Sequence, residues 1–124
     1  MQLVHEQPDF EFFLRGADGR TALVNDRRLD ASFIVAPDRL VEGWSVTDAL
    51  ALQVADLEPL LALEPELILL GCGGSQVFPP QEVLAACLTR GIGLESMTNA
   101  AAARTYNVLA GEGRRVVAGF ILGA

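Results

Sequence analysis

The run Leu67-Ile68-Leu69-Leu70 constrains the fold most, because it has no polar face and is bounded by Pro65-Glu66 and Gly71-Cys72-Gly73-Gly74. An apolar strand of this kind must be covered on both sides, as in the central strands of an α/β sheet. Residues 116–122 repeat the pattern, and Ile92-Gly93-Leu94-Glu95 is a shorter extended run between the two. A helix over residues 81–90 is introduced by Pro79-Pro80 and ended by Gly91. A second starts at Thr98 or Asn99 as cap, runs to Ala110 and is ended by Gly111. Strand–helix–strand order makes residues 67–70 and 92–95 parallel neighbours with a right-handed crossover. The short turn Gly111-Glu112-Gly113 leaves the direction of the last strand open.

The first third reads differently. Residues 10–14 and 21–24 are strands of a hairpin joined by Arg15-Gly16-Ala17-Asp18-Gly19, and Asn25-Asp26 marks another turn. Residues 31–36 form a more buried strand stopped by Pro37-Asp38, with a further extended piece at 41–44. Ser45 and Thr47 are caps for a short helix through Leu52. Asp56 caps a helix over 57–63, with Pro59 in its first turn. The expected fold is α/β: one three-layer domain over residues 1–124, with a mixed central sheet, helices on one side and an N-terminal β layer on the other.

Composition narrows the function. Of the 124 residues, 51% are hydrophobic, which implies a very apolar core or an apolar face for a partner. The runs are too short for the ~20 apolar residues of a membrane span. Residues 1–8 lack a basic region followed by an apolar one, so a soluble, cytoplasmic protein is expected. A net charge of −7, with nine dispersed arginines, argues against nucleic acid and anionic membranes as partners. No residue is lysine, which excludes Schiff-base chemistry and phosphate loops built on lysine. The one histidine, His5, disfavours catalytic triads and histidine-rich metal sites. Cys72 and Cys87 are too few for a disulfide framework and are expected as thiols, with Cys87 in the core. No metal or cofactor is expected.

Two βα turns leave the sheet at the same edge, where α/β folds bind ligands. One is Gly71-Cys72-Gly73-Gly74-Ser75-Gln76, which is neither a dinucleotide fingerprint nor a lysine-bearing phosphate loop. The other is Glu95-Ser96-Met97-Thr98-Asn99, leading into a helix whose N-terminus favours anions. Arg104 and Asn107 follow on that helix. The candidate crevice therefore comprises Gly71, Cys72, Gly73, Gly74, Met97, Thr98, Arg104 and Asn107. The structural alternative is favoured: a tight glycine turn, Thr98 as a cap, Arg104 paired with a carboxylate such as Glu112 or Glu95, and Asn107 bonded to backbone. Ala100-Ala101-Ala102-Ala103 is read as close packing on a sheet. Cys72 has no base beside it and is expected to be an inert thiol.

Residues 65–73, Gly91-Ile92-Gly93-Leu94-Glu95-Ser96-Met97, Ala102-Ala103-Arg104-Thr105-Tyr106-Asn107-Val108-Leu109 and Glu112-Gly113-Arg114-Arg115-Val116, in that order, are distinctive. Together with Phe33-Ile34-Val35-Ala36-Pro37 and Trp44, they resemble a family of small proteins catalogued as a domain of unknown function. The mitochondrial member of that family assists assembly of respiratory complex I. The resemblance implies a compact three-layer fold whose last strand runs antiparallel to the others, and it supplies no reaction or cofactor. The family usually has threonine at the Cys72 position, an acid then threonine at Thr98 and Asn99, and glutamate at Gly113. The favoured function is a non-enzymatic protein-binding or assembly module. The alternatives are a small-anion or metabolite binder using the crevice between residues 71–76 and 96–104, and a thiol-dependent enzyme using Cys72.

Overall fold

The computed structural model describes residues 10–123. His5, and residues 1–8 on which the expectation of a non-exported chain rests, lie outside that range. Among the described residues, eight strands form two sheets. β1 (Leu14–Ala17), β2 (Ala22–Val24) and β3 (Arg27–Leu29) make a three-stranded antiparallel sheet in that order. β4 (Phe33–Ala36), β5 (Arg39–Glu42), β6 (Leu67–Gly71), β7 (Gly93–Met97) and β8 (Val116–Phe120) make a mixed sheet in the order β5-β4-β8-β6-β7. The helices are α1 (Glu58–Leu61), α2 (Gln81–Leu88) and α3 (Asn99–Gly111), with two short 3-10 turns at Ala49–Ala51 and Val54–Leu57.

β6 and β7 are parallel, from Leu67 opposite Gly93 to Gly71 opposite Met97. β8 is parallel to β6 and antiparallel to β4. The last strand is thus not antiparallel to the others as the family resemblance implied. Physically, α3 carries the chain back to the starting end of the sheet, so the strand that follows must run the same way as β7.

The central strands alternate strictly between two cores. Phe33, Val35, Leu69, Val116, Ala118 and Phe120 face α3 and the small sheet, where Ala102, Ala103, Tyr106, Leu14 and Val24 meet them. Ile34, Ile68, Leu70 and Val117 face the other way, onto Trp44, Leu57, Leu60, Val83 and Cys87. The three layers and the mixed sheet are as expected, but the helices are divided between the faces instead of sharing one. The connection β6–α2–β7 moves outward across the sheet and β7–α3–β8 moves back over β6. Two crossovers of one hand in opposite directions place their helices on opposite faces. The N-terminal sheet therefore shares its layer with α3. The expected close packing is seen at Ala102 and Ala103, which are buried, whereas Ala100 is exposed.

Several local expectations shift. The first strand begins at Leu14 instead of residue 10, because Phe10 and Phe12 dock on α3 outside the ladder: the Tyr106 hydroxyl donates to the Phe12 carbonyl at 2.7 Å. Residues 27–29, not expected as a strand, pair with β2 across the two-residue turn Asn25-Asp26, where Asn25 adopts φ +53°. Asp48, in place of Ser45 or Thr47, caps the first 3-10 turn through the Leu50 N–H. Asp56 closes a capping box with Gln53 at the start of the second turn, with Pro59 in the first turn of α1 as expected. β7, expected as a short extended run beside residues 67–70, is an edge strand with Gly93 and Glu95 exposed.

Candidate functional site

At the C-terminal ends of β6 and β7, where an α/β sheet offers its ligand site, the chain fills the space with its own residues. Asn99, the first residue of α3, is wholly buried. Its Oδ1 accepts from the Gly73 N–H at 3.1 Å, and its Nδ2 donates to the carbonyls of Asp18 at 2.8 Å and Ile121 at 2.9 Å. Its own N–H donates to the Gly73 carbonyl at 2.8 Å. One carboxamide thus ties together the loop after β6, the turn between β1 and β2, and the segment after β8. Gly71 is glycine for this reason, since a Cβ there would collide with Asn99 Oδ1. Gly19 in the β1–β2 turn packs against Gly74, with a notional Cβ 3.1 Å from the Gly74 nitrogen.

The turn that plugs this end is itself fixed. Asp18 Oδ1 accepts from the N–H groups of Arg20 and Thr21, both at 2.8 Å. The bonds from Thr21 and then Arg20 hold the Asp18 carboxyl below its ordinary value. Thr98 caps α3 through the Ala101 N–H at 3.2 Å, as expected. Met97 is partly buried against the α3-side core, and its carbonyl accepts from the Cys72 N–H at 2.9 Å. The Cys72 thiol is half-buried and contacts the Val77 carbonyl at 3.2 Å. Burial pushes it above the ordinary thiol range, outweighing hydrogen bonds from Val77 and Met97 that favour the thiolate. This is the opposite of an activated nucleophile.

Arg104 and Asn107 do not join the glycine loop. They border an open depression of about 340 Å³ whose other walls include Leu14, Arg15, Gly16 and Ala103. Asn107 bonds to backbone: Oδ1 accepts from the Leu14 N–H at 2.9 Å, and Nδ2 donates to the Leu14 carbonyl at 2.7 Å. Its carboxamide thereby stands in for a neighbouring strand along the outer edge of β1. Arg104 is exposed and makes no ion pair or side-chain hydrogen bond among the described residues, so neither Glu112 nor Glu95 pairs with it. The expected crevice is therefore resolved into a closed glycine turn and a separate surface depression. The Tyr106-Asn107 portion of the distinctive Arg104-Thr105-Tyr106-Asn107 stretch holds the N-terminal segment onto α3.

The sequence reading missed the surface at the β7 edge. Among the described residues, Phe78 and Leu88 are the most exposed large apolar side chains, at 73% and 69%. Phe78 lines a recess of about 280 Å³ with Pro79, Leu84, Leu94, Glu95 and Ser96. Leu88 follows Leu84 by four residues on α2 and so extends the same stripe. The Met97 carbonyl faces β6, so by strand alternation the backbone groups of Leu94 and Ser96 point away from the sheet. Gln76 confirms the direction, its Nε2 donating to the Ser96 carbonyl at 2.9 Å. The available signal was Phe78 itself, an aromatic residue set in a proline-flanked loop with no strand or helix period to bury it. Among the described residues, no cluster of His, Cys, Asp or Glu side chains is placed to hold a metal ion.

A family of proteins of unknown function, DUF498/DUF598, matches residues 15–121. The chain is 34% identical over 106 residues to a Francisella tularensis protein named 13 kDa major membrane protein, covering 85% of each. It is similar to a Xanthomonas campestris protein solved by NMR, with 60% identity, a TM-score of 0.84, and 99% and 93% of the two chains covered. A Bordetella pertussis protein described as a Mth938-like domain shares 27% identity and a TM-score of 0.81, over 98% of this chain and 92% of that one. Among the described residues, no helix is long and apolar enough to cross a membrane. Fold and sequence together place the chain in the DUF498/DUF598 family of proteins of unknown function.

Proposed function

We propose that this domain is a non-enzymatic protein-binding module of the assembly-factor type, and that its working surface is the apolar strip Phe78, Leu84, Leu88 and Leu94. The observation that carries the reading is the exposure of Phe78 beside an unpaired sheet edge. Aromatic anchors at the centre of a desolvated patch dominate protein association, and Phe78 with Leu84, Leu88 and Leu94 forms a contiguous apolar strip of the kind that marks such a site. The ligand end of the sheet, by contrast, is occupied by Asn99 and the β1–β2 turn, and the Cys72 thiol is held in its protonated form.

The two free thiols support a reducing, cytoplasmic setting, and the net charge of −7 disfavours nucleic acid as partner. The Francisella relative's name places that protein at a membrane. A partner that is itself membrane-embedded reconciles that name with the absence of a spanning helix among the described residues here. The test is differential capture. Tagged wild type and a Phe78→Ser/Leu88→Ser variant are exposed to the same lysate, and retained proteins are identified and rebound in purified form. A protein held by the wild type and released by the double variant supports the reading. Identical profiles from both would refute it.

A further inference from the structure

We infer that the partner docks by strand addition: an extended segment of another protein pairs with the outer edge of β7, sets an apolar side chain into the Phe78–Leu84–Leu94 recess, and carries a basic residue opposite Glu95. This rests on the protein-binding reading above and adds its geometry and chemistry.

Strand addition needs free backbone groups, and β7 has them. The order β5-β4-β8-β6-β7 leaves β5 and β7 as the two edges. β5 carries Arg39 and Glu42 on its exposed positions, and Glu42 is paired with Arg27 at 2.7 Å. Charges of this kind blunt an edge against pairing. β7 is Gly93-Leu94-Glu95-Ser96-Met97, with a single charge. The Leu94 N–H and carbonyl and the Ser96 N–H point outward. An antiparallel segment with a residue opposite Leu94 exchanges two hydrogen bonds there and accepts a third from Ser96. Gln76 already shows the edge accepting a donor, at the Ser96 carbonyl. The recess lies on the Leu94 side of the strand, against α2. Main-chain pairing beside a pocket for alternate side chains is the general form of β-strand recognition.

Charge selects the occupant. Glu95 is exposed at the middle of the edge and shares the rim of the recess. A second copy related by a two-fold axis through the centre of β7 would set Glu95 directly against its own equivalent, and like charges opposed across strands are destabilising. A net charge of −7 adds to the repulsion between copies. A segment with arginine or lysine opposite Glu95 turns the same contact into an attractive pair. The occupant is therefore a basic, alternating extended segment from a different protein.

The experiment uses twelve-residue peptides selected from a random displayed library against the full chain, with binding followed through backbone amide signals and hydrogen exchange. The expected result is selection of peptides with alternating apolar residues and an arginine or lysine, which protect the Leu94 and Ser96 amides from exchange. N-methylating the peptide amide that pairs with Leu94 should weaken binding at least tenfold, as should Glu95→Lys. Ser96→Pro removes one outward N–H and should have the same effect, proline being tolerated on the open side of an edge strand. The N-methylated peptide keeps the test intact if that variant does not fold. Peptides that bind through Phe78 but leave the Leu94 and Ser96 amides exchanging freely would overturn strand addition while leaving the protein-binding reading standing. Selection of acidic peptides, or self-association of the chain alone with protection of the Leu94 amide, would also overturn it. Selected peptides indifferent to Phe78→Ser/Leu88→Ser would instead remove the reading on which it rests.

Discussion

Asn99→Ala removes one accepted and two donated side-chain hydrogen bonds, stranding the buried Gly73 N–H and Ile121 carbonyl and releasing the part-buried Asp18 carbonyl. Each of the two stranded buried groups costs about 1–3 kcal/mol, so denaturant unfolding should show a loss of at least ~2 kcal/mol. A loss under 1 kcal/mol would mean that the three segments hold together without it. Arg104 stands at the other extreme. It is exposed and without a partner among the described residues, so Arg104→Ala should change stability by no more than about 0.5 kcal/mol in the same measurement. Asp18 gives a pH signature. Its folded-state pKa lies below the unfolded value, because the folded turn supplies two N–H groups to the carboxylate. Its contribution is therefore fully present above about pH 4 and is lost as pH falls through the folded value. The stability gap between wild type and Asp18→Ala should be constant near neutral pH and narrow in acid. A gap that widened in acid would contradict the assignment. Asn99 was legible only as a possible cap, because its two carbonyl partners lie 81 and 22 positions away in sequence.

Among the elements, β8 shows how tightly the layers are fitted. Gly119 faces the Trp44 indole, and a Cβ there would lie 2.7 Å from Cζ3. The Trp44 ring cannot retreat easily, since Nε1 donates to the Asp56 carbonyl at 3.0 Å. Gly119→Ala should therefore destabilise by about 1–3 kcal/mol through overpacking. An unchanged melting curve would show that the indole moves freely. Elements were readable where burial was two-sided: residues 67–70 and 116–120 are the central strands that their apolar runs implied, although nothing in the run 116–122 marks the strand's end at Phe120. β3 escaped notice because Arg27-Arg28 face solvent and carry no apolar period. β7 was recognised as a strand but not as an edge, since strand order depends on where α3 returns the chain, and that choice leaves no mark within residues 92–95. The division of helices between faces was hidden for the same reason.

For the whole molecule, the two ends of interest have exchanged roles. The glycine loop and the start of α3, which drew attention in the sequence, are consumed in joining three segments of the chain, whereas the α2–β7 side carries uncovered apolar surface. Calorimetric titration of the purified captured partner separates these two surfaces. The titration compares wild type with Phe78→Ser/Leu88→Ser and with Arg104→Ala and Cys72→Ser as controls. Anchors in a desolvated patch are each worth about 2 kcal/mol or more, so the double variant should bind at least ~100-fold more weakly, while both controls remain within about threefold of wild type. Equal affinity for the double variant and wild type, or a large loss in Cys72→Ser, would contradict the account.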